Sequence, residues 1–304
     1  MRQPGETKVT IAPVLLFQRL FLFFGLLCAT PALAASEGRS GGRLLLTNGV
    51  STAEGATGGG LAPWALISGS ETRDGIGGAA FVTEVPLPDF DLRVVGGSVG
   101  IRDRLELSVA HQRFDTHAAG AALGLGRGFV FGQNVFGAKL RLAGDAVWDQ
   151  DRWLPQISVG VQYKVADQAP VLHAVGAERH RDADFYVAAT KVILSQGLVV
   201  NATLRLTRAN QLGLLGFGGD RQGARTAQFE ASLGKLVTRS LLLGGEVRTK
   251  PDNLGFAREQ KAFDLFAAWA FHRHATATLA YADLGSIAGY RRQHGAFLSL
   301  QLGF

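Results

Sequence analysis

Residues 156–165 read QISVGVQYKV: Ile157, Val159, Val161, Tyr163 and Val165 share one parity, and Gln156, Ser158, Gly160, Gln162 and Lys164 share the other. A period of two is a β-strand with one greasy face and one wet face. The pattern recurs outward from this stretch. In 197–207 the apolar row is Leu198, Val200, Ala202, Leu204 and Leu206, against Asn201, Thr203, Arg205 and Thr207. In 240–250 it is Leu241, Leu243 and Val247, against Glu246, Arg248 and Lys250, and in 261–271 it is Phe263, Leu265, Ala267, Trp269 and Phe271. The last stretch, HGAFLSLQLGF, sets Leu298, Leu300 and Leu302 before Phe304.

Fourteen such segments can be drawn: 43–50, 62–70, 76–85, 92–101, 104–113, 132–143, 155–165, 183–193, 197–207, 226–237, 240–250, 261–271, 274–284 and 294–304. Each is close to the roughly 9 to 11 residues that a tilted strand needs to cross a bilayer. Links at 102–103, 194–196, 238–239 and 272–273 are tight, whereas 114–131, 166–182, 208–225, 251–260 and 285–293 are long. Short periplasmic turns and long external loops are the asymmetry of outer-membrane barrels. The link 144–154 is the exception, being long where a tight turn belongs. The fold expected is all-β, a transmembrane antiparallel up-and-down barrel of about fourteen strands with both termini on the periplasmic side. The first segment, RLLLTNGV, does not alternate, so twelve strands with an N-terminal plug is the alternative.

Aromatic residues sharpen this reading, because barrels carry girdles at both interfaces. The loop rule puts Tyr163, Phe185, Phe229, Phe263 and Tyr281 on the lipid parity near the external rim, and Trp269, Phe271 and Phe304 near the periplasmic rim. The competing fold is a secreted β-sandwich, whose strands average five or six residues and whose outward rows are polar. Forty glycines, many inside alternating segments, suit curvature and side-chain clearance inside a barrel.

Residues 1–34 read as a secretory signal. Arg2, Lys8 and Arg19 precede an apolar run from Leu20 to Cys28, and Ala32-Leu33-Ala34 offers small residues for cleavage after Ala34. Residues 35–304 would then be the barrel, in the outer membrane of a Gram-negative envelope. Cleavage removes Arg2, Lys8, Arg19 and Glu6, leaving 28 basic and 24 acidic residues and a net charge of +4. That charge is dispersed and argues against a nucleic-acid surface. The sole cysteine, Cys28, leaves with the signal, so no disulfide is expected.

The stretches GGGLAPWALI, FDTHAAGAALGLGRGF, DQDRWLPQISVGVQYK, DFYVAATK, RLTRANQLGLLGFGGDR, RTKPDNLGFA and YADLG resemble the bacterial domain-of-unknown-function 3034 family of predicted outer-membrane proteins. The resemblance spans nearly all of the chain after the signal. It implies an outer-membrane location and carries no activity. Resemblance to inserted barrels also implies that a strand ending on Phe304 is read by the barrel-insertion machinery.

His111 falls near the external rim on the lipid side with Asn134 on the adjoining strand, but Ser108 has the opposite parity and Ser98 lies deeper, so acyl transfer lacks a nucleophile. His272 and His274 have no third metal ligand at suitable spacing. Asp149, Gln150 and Asp151 lack the glycine and distal glutamate of a calcium loop, and GLGRG at 124–128 has no following Lys-Ser/Thr. No catalysis, metal or cofactor is expected.

Inward parity instead gathers Arg104, Lys139, Arg141, Lys164, Arg205 and Arg248 with Glu106, Asp184, Glu230, Glu246 and Asp264. Charged rings select what enters a pore, whereas charges paired across strands merely fill it. The first expectation is a passive channel for small polar or mildly anionic solutes, lined by Lys139, Arg141, Arg205 and Arg248, with loops 208–225 and 251–260 folding in as a constriction. The second is a non-conducting structural or assembly barrel that meets an envelope partner through its loops and the link 144–154. A lipid-modifying enzyme ranks last.

Overall fold

The computed structural model describes residues 44–47, 49–70 and 75–304; the expected signal, its cleavage near Ala34 and the start of the 43–50 segment lie outside them. Two short strands come first, β1 (Val50–Ser51) and β2 (Thr57–Gly58), paired with each other. Twelve long strands follow among the described residues: β3 (Ile76–Pro86), β4 (Asp91–Ile101), β5 (Leu105–Asp115), β6 (Val130–Ala143), β7 (Gln156–Ala166) and β8 (Arg181–Ile193), then β9 (Leu198–Thr207), β10 (Thr226–Thr238), β11 (Leu241–Arg248), β12 (Ala262–His272), β13 (Ala275–Asp283) and β14 (His294–Gly303). Each pairs antiparallel with its neighbour in sequence, and β14 closes the barrel on β3 with Leu300 opposite Val82. Closure gives every strand two partners, so no sheet edge is left to meet hydrocarbon.

The wall therefore has twelve strands and not fourteen, with the N-terminal plug of the alternative expectation. Segments 43–50 and 62–70 do not join it. The reason is legible in APWALI: Ala62, Trp64, Ala65 and Ile67 are all buried regardless of parity. A wall strand needs one face for lipid and one for the lumen, and a run that is apolar on both parities is surrounded on all sides. The remaining twelve segments agree with the observed strands to within two residues at each end.

Tight turns occupy 102–104, 194–197, 239–240 and 273–274. The opposite rim carries 116–129 with the helix α1 (His117–Ala122), 167–180 with α2 (Ala169–Ala174), 208–225, 249–261 and 284–293, and also the short link 87–90. On the turn side the link 144–155 stays long. It is tied down by Arg141, which bonds Asp103, Asp145 and the carbonyl of Gly144.

Outward rows are apolar. Leu204 is 53% exposed, Leu265 65% and Leu279 57%. A continuous apolar exterior of this extent is incompatible with water and matches the lipid-facing band of outer-membrane barrels. The inward rows carry polar groups and a few large rings. Phe81, Tyr186 and Phe266 lie opposite Gly96, Gly160 and Gly244. A Cβ on any of these glycines would come within 2.7 Å of the facing ring. Glycine inside these strands thus makes room for an inward aromatic on the neighbouring strand.

Candidate functional site: the filled lumen

Residues 49–69 run inside the barrel and are buried throughout. The segment holds no lysine or arginine and one carboxylate, Glu54. It enters from the turn side, where the Ser70 amide donates to the Phe304 carbonyl (3.2 Å). It then folds as a hairpin: the Thr52 amide donates to the Ala56 carbonyl (2.9 Å), and Gly55, at φ +90°, takes a backbone conformation that a side chain would strain. Glu54 sits at the tip.

Three tiers of wall side chains hold the plug. At the turn-side tier Glu106 accepts from the amides of Thr57 (3.0 Å) and Ser68 (2.9 Å) and pairs with Lys139 (2.9 Å). The Lys139 ammonium also donates to the carbonyls of Leu66 (2.7 Å) and Thr57 (3.2 Å). Nearby, Gln156 and Ser158 both donate to the Ala65 carbonyl at 2.6 Å, and the Ala65 amide donates to Thr190 Oγ1 (2.7 Å). In the middle tier the Trp64 indole N–H donates to Ser232 Oγ (2.9 Å), the Leu61 amide donates to Glu246 (2.7 Å), and Thr203 donates to the Pro63 carbonyl (2.8 Å).

The third tier is ionic. Lys164 of β7, Arg205 of β9 and Arg248 of β11 converge on Glu54: Lys164 bonds Oε1, Arg248 bonds both oxygens at 2.7 and 3.2 Å, and Arg205 stands 3.4 Å from Oε2. The wall offers these cations two carboxylates of its own. Asp184 lies 2.6 Å from Lys164 and 3.4 Å from Arg205, while Glu230 lies 2.6 Å from Arg205 and 3.2 Å from Arg248. Arg205 and Lys164 are wholly buried and Arg248 nearly so. Three wall cations thus face two wall anions, and the plug supplies the third.

Above this tier the external loops close over the lumen. Loop 208–225 turns inward, burying Leu214, Leu215 and Phe217, and the Leu212 carbonyl accepts from Lys164 (3.1 Å) and Gln133 (3.2 Å). Glu259 in 249–261 accepts from the Gln211 amide (2.9 Å) and side chain (2.7 Å) and pairs with Lys250 (3.0 Å), while Gln211 also donates to the Ser286 carbonyl (2.6 Å). Burial pushes the Glu259 carboxyl above its ordinary value, against the pull of the Lys250 ammonium.

The family model described as Protein of unknown function (DUF3034) matches residues 47–301, which takes in the plug as well as the wall. The chain belongs to the DUF3034 family. No curated protein matches its sequence. Among solved structures, the KdgM porin is similar with a TM-score of 0.49 at 8% identity, over 74% of this chain and 99% of that one. An outer membrane channel, COG4313, from Pseudomonas putida F1 gives 0.44 at 14% identity over 75% and 95%. An outer membrane phospholipase A from Escherichia coli gives 0.42 at 9% identity over 74% and 89%. At such distances nothing that those proteins pass or cleave transfers to this DUF3034 chain.

Of the residues singled out in the sequence, Glu106, Lys139, Lys164, Asp184, Arg205, Glu230, Glu246, Arg248 and Asp264 are buried with inward parity. Arg141 stands at the turn-side rim and clamps the link 144–155, and Arg104 is exposed at the same rim, where a cavity of about 520 Å³ is lined by Arg102, Asp103, Arg104 and Arg141. Tyr163, Phe185, Phe229, Phe263 and Tyr281 are exposed on the outside toward the long loops, and Trp269, Phe271 and Phe304 toward the turns. His111 Nδ1 and Asn134 Oδ1 do meet, at 2.9 Å on the exposed outer face. Val95 flanks His111 across the other pairing, and Val109 and Arg113 are its same-face neighbours along β5; none of these three side chains carries a hydroxyl or thiol nucleophile. Sequence reasoning missed Glu54. The available signal was a lone carboxylate in the cation-free stretch 49–70 of a chain with basic residues at inward strand positions.

Proposed function

We propose that this DUF3034 protein is an outer-membrane channel held shut at rest by its own residues 49–70, which passes small polar or mildly anionic solutes when that segment withdraws toward the periplasm. The observation that carries the reading is how the plug is fastened. Its two short strands pair with each other, and its groups are held by wall side chains, many of them charged. Charges paired within the wall can fill a lumen by themselves, whereas here three wall cations share two wall carboxylates and the third comes from the plug as Glu54. In this reading residues 1–34 are the export signal, the eight outer aromatics are the girdles, and the strand ending at Phe304 is what the insertion machinery recognises.

Planar-bilayer conductance tests it. The full chain is expected to be mostly closed, and the chain lacking 44–70 to conduct with anions preferred. A folded deletion variant that stays silent at every potential ends the channel reading.

A second reading, a non-conducting barrel serving envelope assembly, is favoured by one observation. The turn-side link 144–155 carries Trp153, 94% exposed, beside exposed Trp148 and Leu154. A stoichiometric periplasmic partner lost on Trp153→Ala would support it.

A further inference from the structure

We infer that Lys164, Arg205 and Arg248 form a carboxylate-binding site in the lumen, that Glu54 occupies this site as a built-in ligand, and that an anionic solute displaces the plug by competing for the same three cations. The inference rests on the plug-gated reading above and adds to it the solute class and the trigger.

The argument begins with charge. Asp184 and Glu230 are wall partners, each shared between two of the cations. That leaves one positive charge over, and Glu54 takes it from the end of a hairpin whose remaining contacts here are neutral, with Gln112 donating to the Ala53 carbonyl (2.7 Å) and Gln162 to the Glu54 carbonyl (3.4 Å). Geometry points the same way. Arg248 grips the Glu54 carboxylate through both terminal nitrogens, at 2.7 and 3.2 Å, the fork arrangement that recognises a carboxylate plane. Lys164 completes it as a point charge from another strand. A free carboxylate with hydroxyl groups can satisfy the same donors, while Gln112 and Gln162, held by neutral plug carbonyls, are then released to bind hydroxyls. A neutral solute of equal size has no means of repaying the lost Glu54 contacts. The exchange is therefore selective by charge, and the wall stays neutralised whether the plug or the solute is present.

Position suits a trigger as well. Lys164, Arg205 and Arg248 all lie near the external ends of their strands, directly beneath the Leu212 carbonyl of the capping loop, to which Lys164 also donates. Once past the capping loops, a solute arriving from outside meets this tier before the two tiers that hold the rest of the plug.

The test uses the full chain in liposomes with Ser51→Cys as a reporter. Ser51 is buried against Gln301, and Cys28, the sole native thiol, precedes the cleavage point. Gluconate is expected to raise the rate of thiol labelling at position 51 by about tenfold or more, and sorbitol to leave it unchanged. Glu54→Gln in the same background is expected to label rapidly without any solute and to admit gluconate faster than sorbitol. Heat-modifiable gel mobility checks the folding of each variant. Lys164→Gln gives a second variant, expected to weaken the gluconate effect, should Glu54→Gln not insert. Equal responses to gluconate and sorbitol in a chain that conducts overturn the site and leave the channel standing. A chain that neither labels nor conducts, Glu54→Gln included, overturns both.

Discussion

The wall and the plug occupy the same barrel and are built on opposite rules. In the wall the backbone does the holding: every strand is paired on both sides, and side chains decide only which face meets lipid. In the plug the backbone is held by side chains of the wall, and its short strands pair with each other and, through Gly58, with Pro63 of the same segment. Backbone pairing around a closed ring is cooperative, so wall damage is felt by the whole fold. Side-chain anchoring is local, so plug damage can be confined to the plug.

The sharpest way to break that comparison is Glu54→Ala. Removing one partner of a buried ionic cluster typically costs about 3–5 kcal/mol, because the charges left behind stay buried. Here that loss is expected to fall on docking of residues 49–70 and not on the wall, so hydrogen exchange at 49–69 should rise sharply while the unfolding midpoint of the barrel in denaturant moves little. An unfolding midpoint that drops by the full amount would mean that plug and wall form one cooperative unit.

Leu279→Arg attacks the other side. Leu279 lies at the centre of β13, 57% exposed on the outer face, between Ala267 and Leu298. A cationic side chain facing lipid at mid-depth costs about 2–4 kcal/mol. Barrel stability should fall by that amount in a lipid-based unfolding titration, with the pairing of Glu54 and Arg248 undisturbed until the wall opens. A neutral result would put Leu279 outside the lipid band.

How far each region could be read from sequence follows from the same contrast. Wall strands declare themselves because lipid and lumen impose opposite polarities at a period of two, as in Ile157 to Val165. The plug declares nothing comparable. Its Trp64, Ala65 and Ile67 pack among inward wall side chains that come from strands far away in sequence, so no local period marks them, and an apolar run of strand length reads as a strand. Glu54 was hidden in a turn between two supposed strands. The lumen charges were found by parity alone, but whether they line a path or grip a plug depends on partners about 40 to 190 residues distant, such as Glu54 with Arg248. Arg141 had the right parity and a different task, because position along the strand places it level with the link that it clamps.

Loop closure above the plug gives a comparison that pH can sharpen. The Glu259 side chain is buried in the cap, and its carboxyl sits above the ordinary 4.5. A carboxyl raised in the closed state binds its proton more tightly there than when the loop is open. Its contribution to closure is therefore complete below 4.5 and is lost as pH rises through the raised value. Exchange of the Gln211 amide, which donates to Glu259, should speed up as pH climbs through that window after correction for intrinsic exchange. Glu259→Gln should remove the dependence. A Gln211 amide that becomes better protected with rising pH would show that the Lys250 ion pair outweighs burial.

The smallest effect expected lies in the wall and runs the opposite way to the rest. Asp264 and Glu246 are direct cross-strand partners, both inward and both buried, and one oxygen of Asp264 has no hydrogen-bond partner among the described residues. Glu246 is committed to the plug through Leu61 and Trp64, with Ser232 of β10 donating to the same carboxylate, so it is Asp264 that adds a second carboxyl with no ion-pair cation among the described residues. Carboxyls directly opposite each other disfavour the sheet when both carry charge. Asp264→Asn keeps the shape and removes that interaction, and should raise the barrel's unfolding midpoint slightly while leaving plug exchange unchanged. If exchange at 58–62 rises as well, Asp264 belongs to the plug's fastening, and the boundary between the two regions runs through β12.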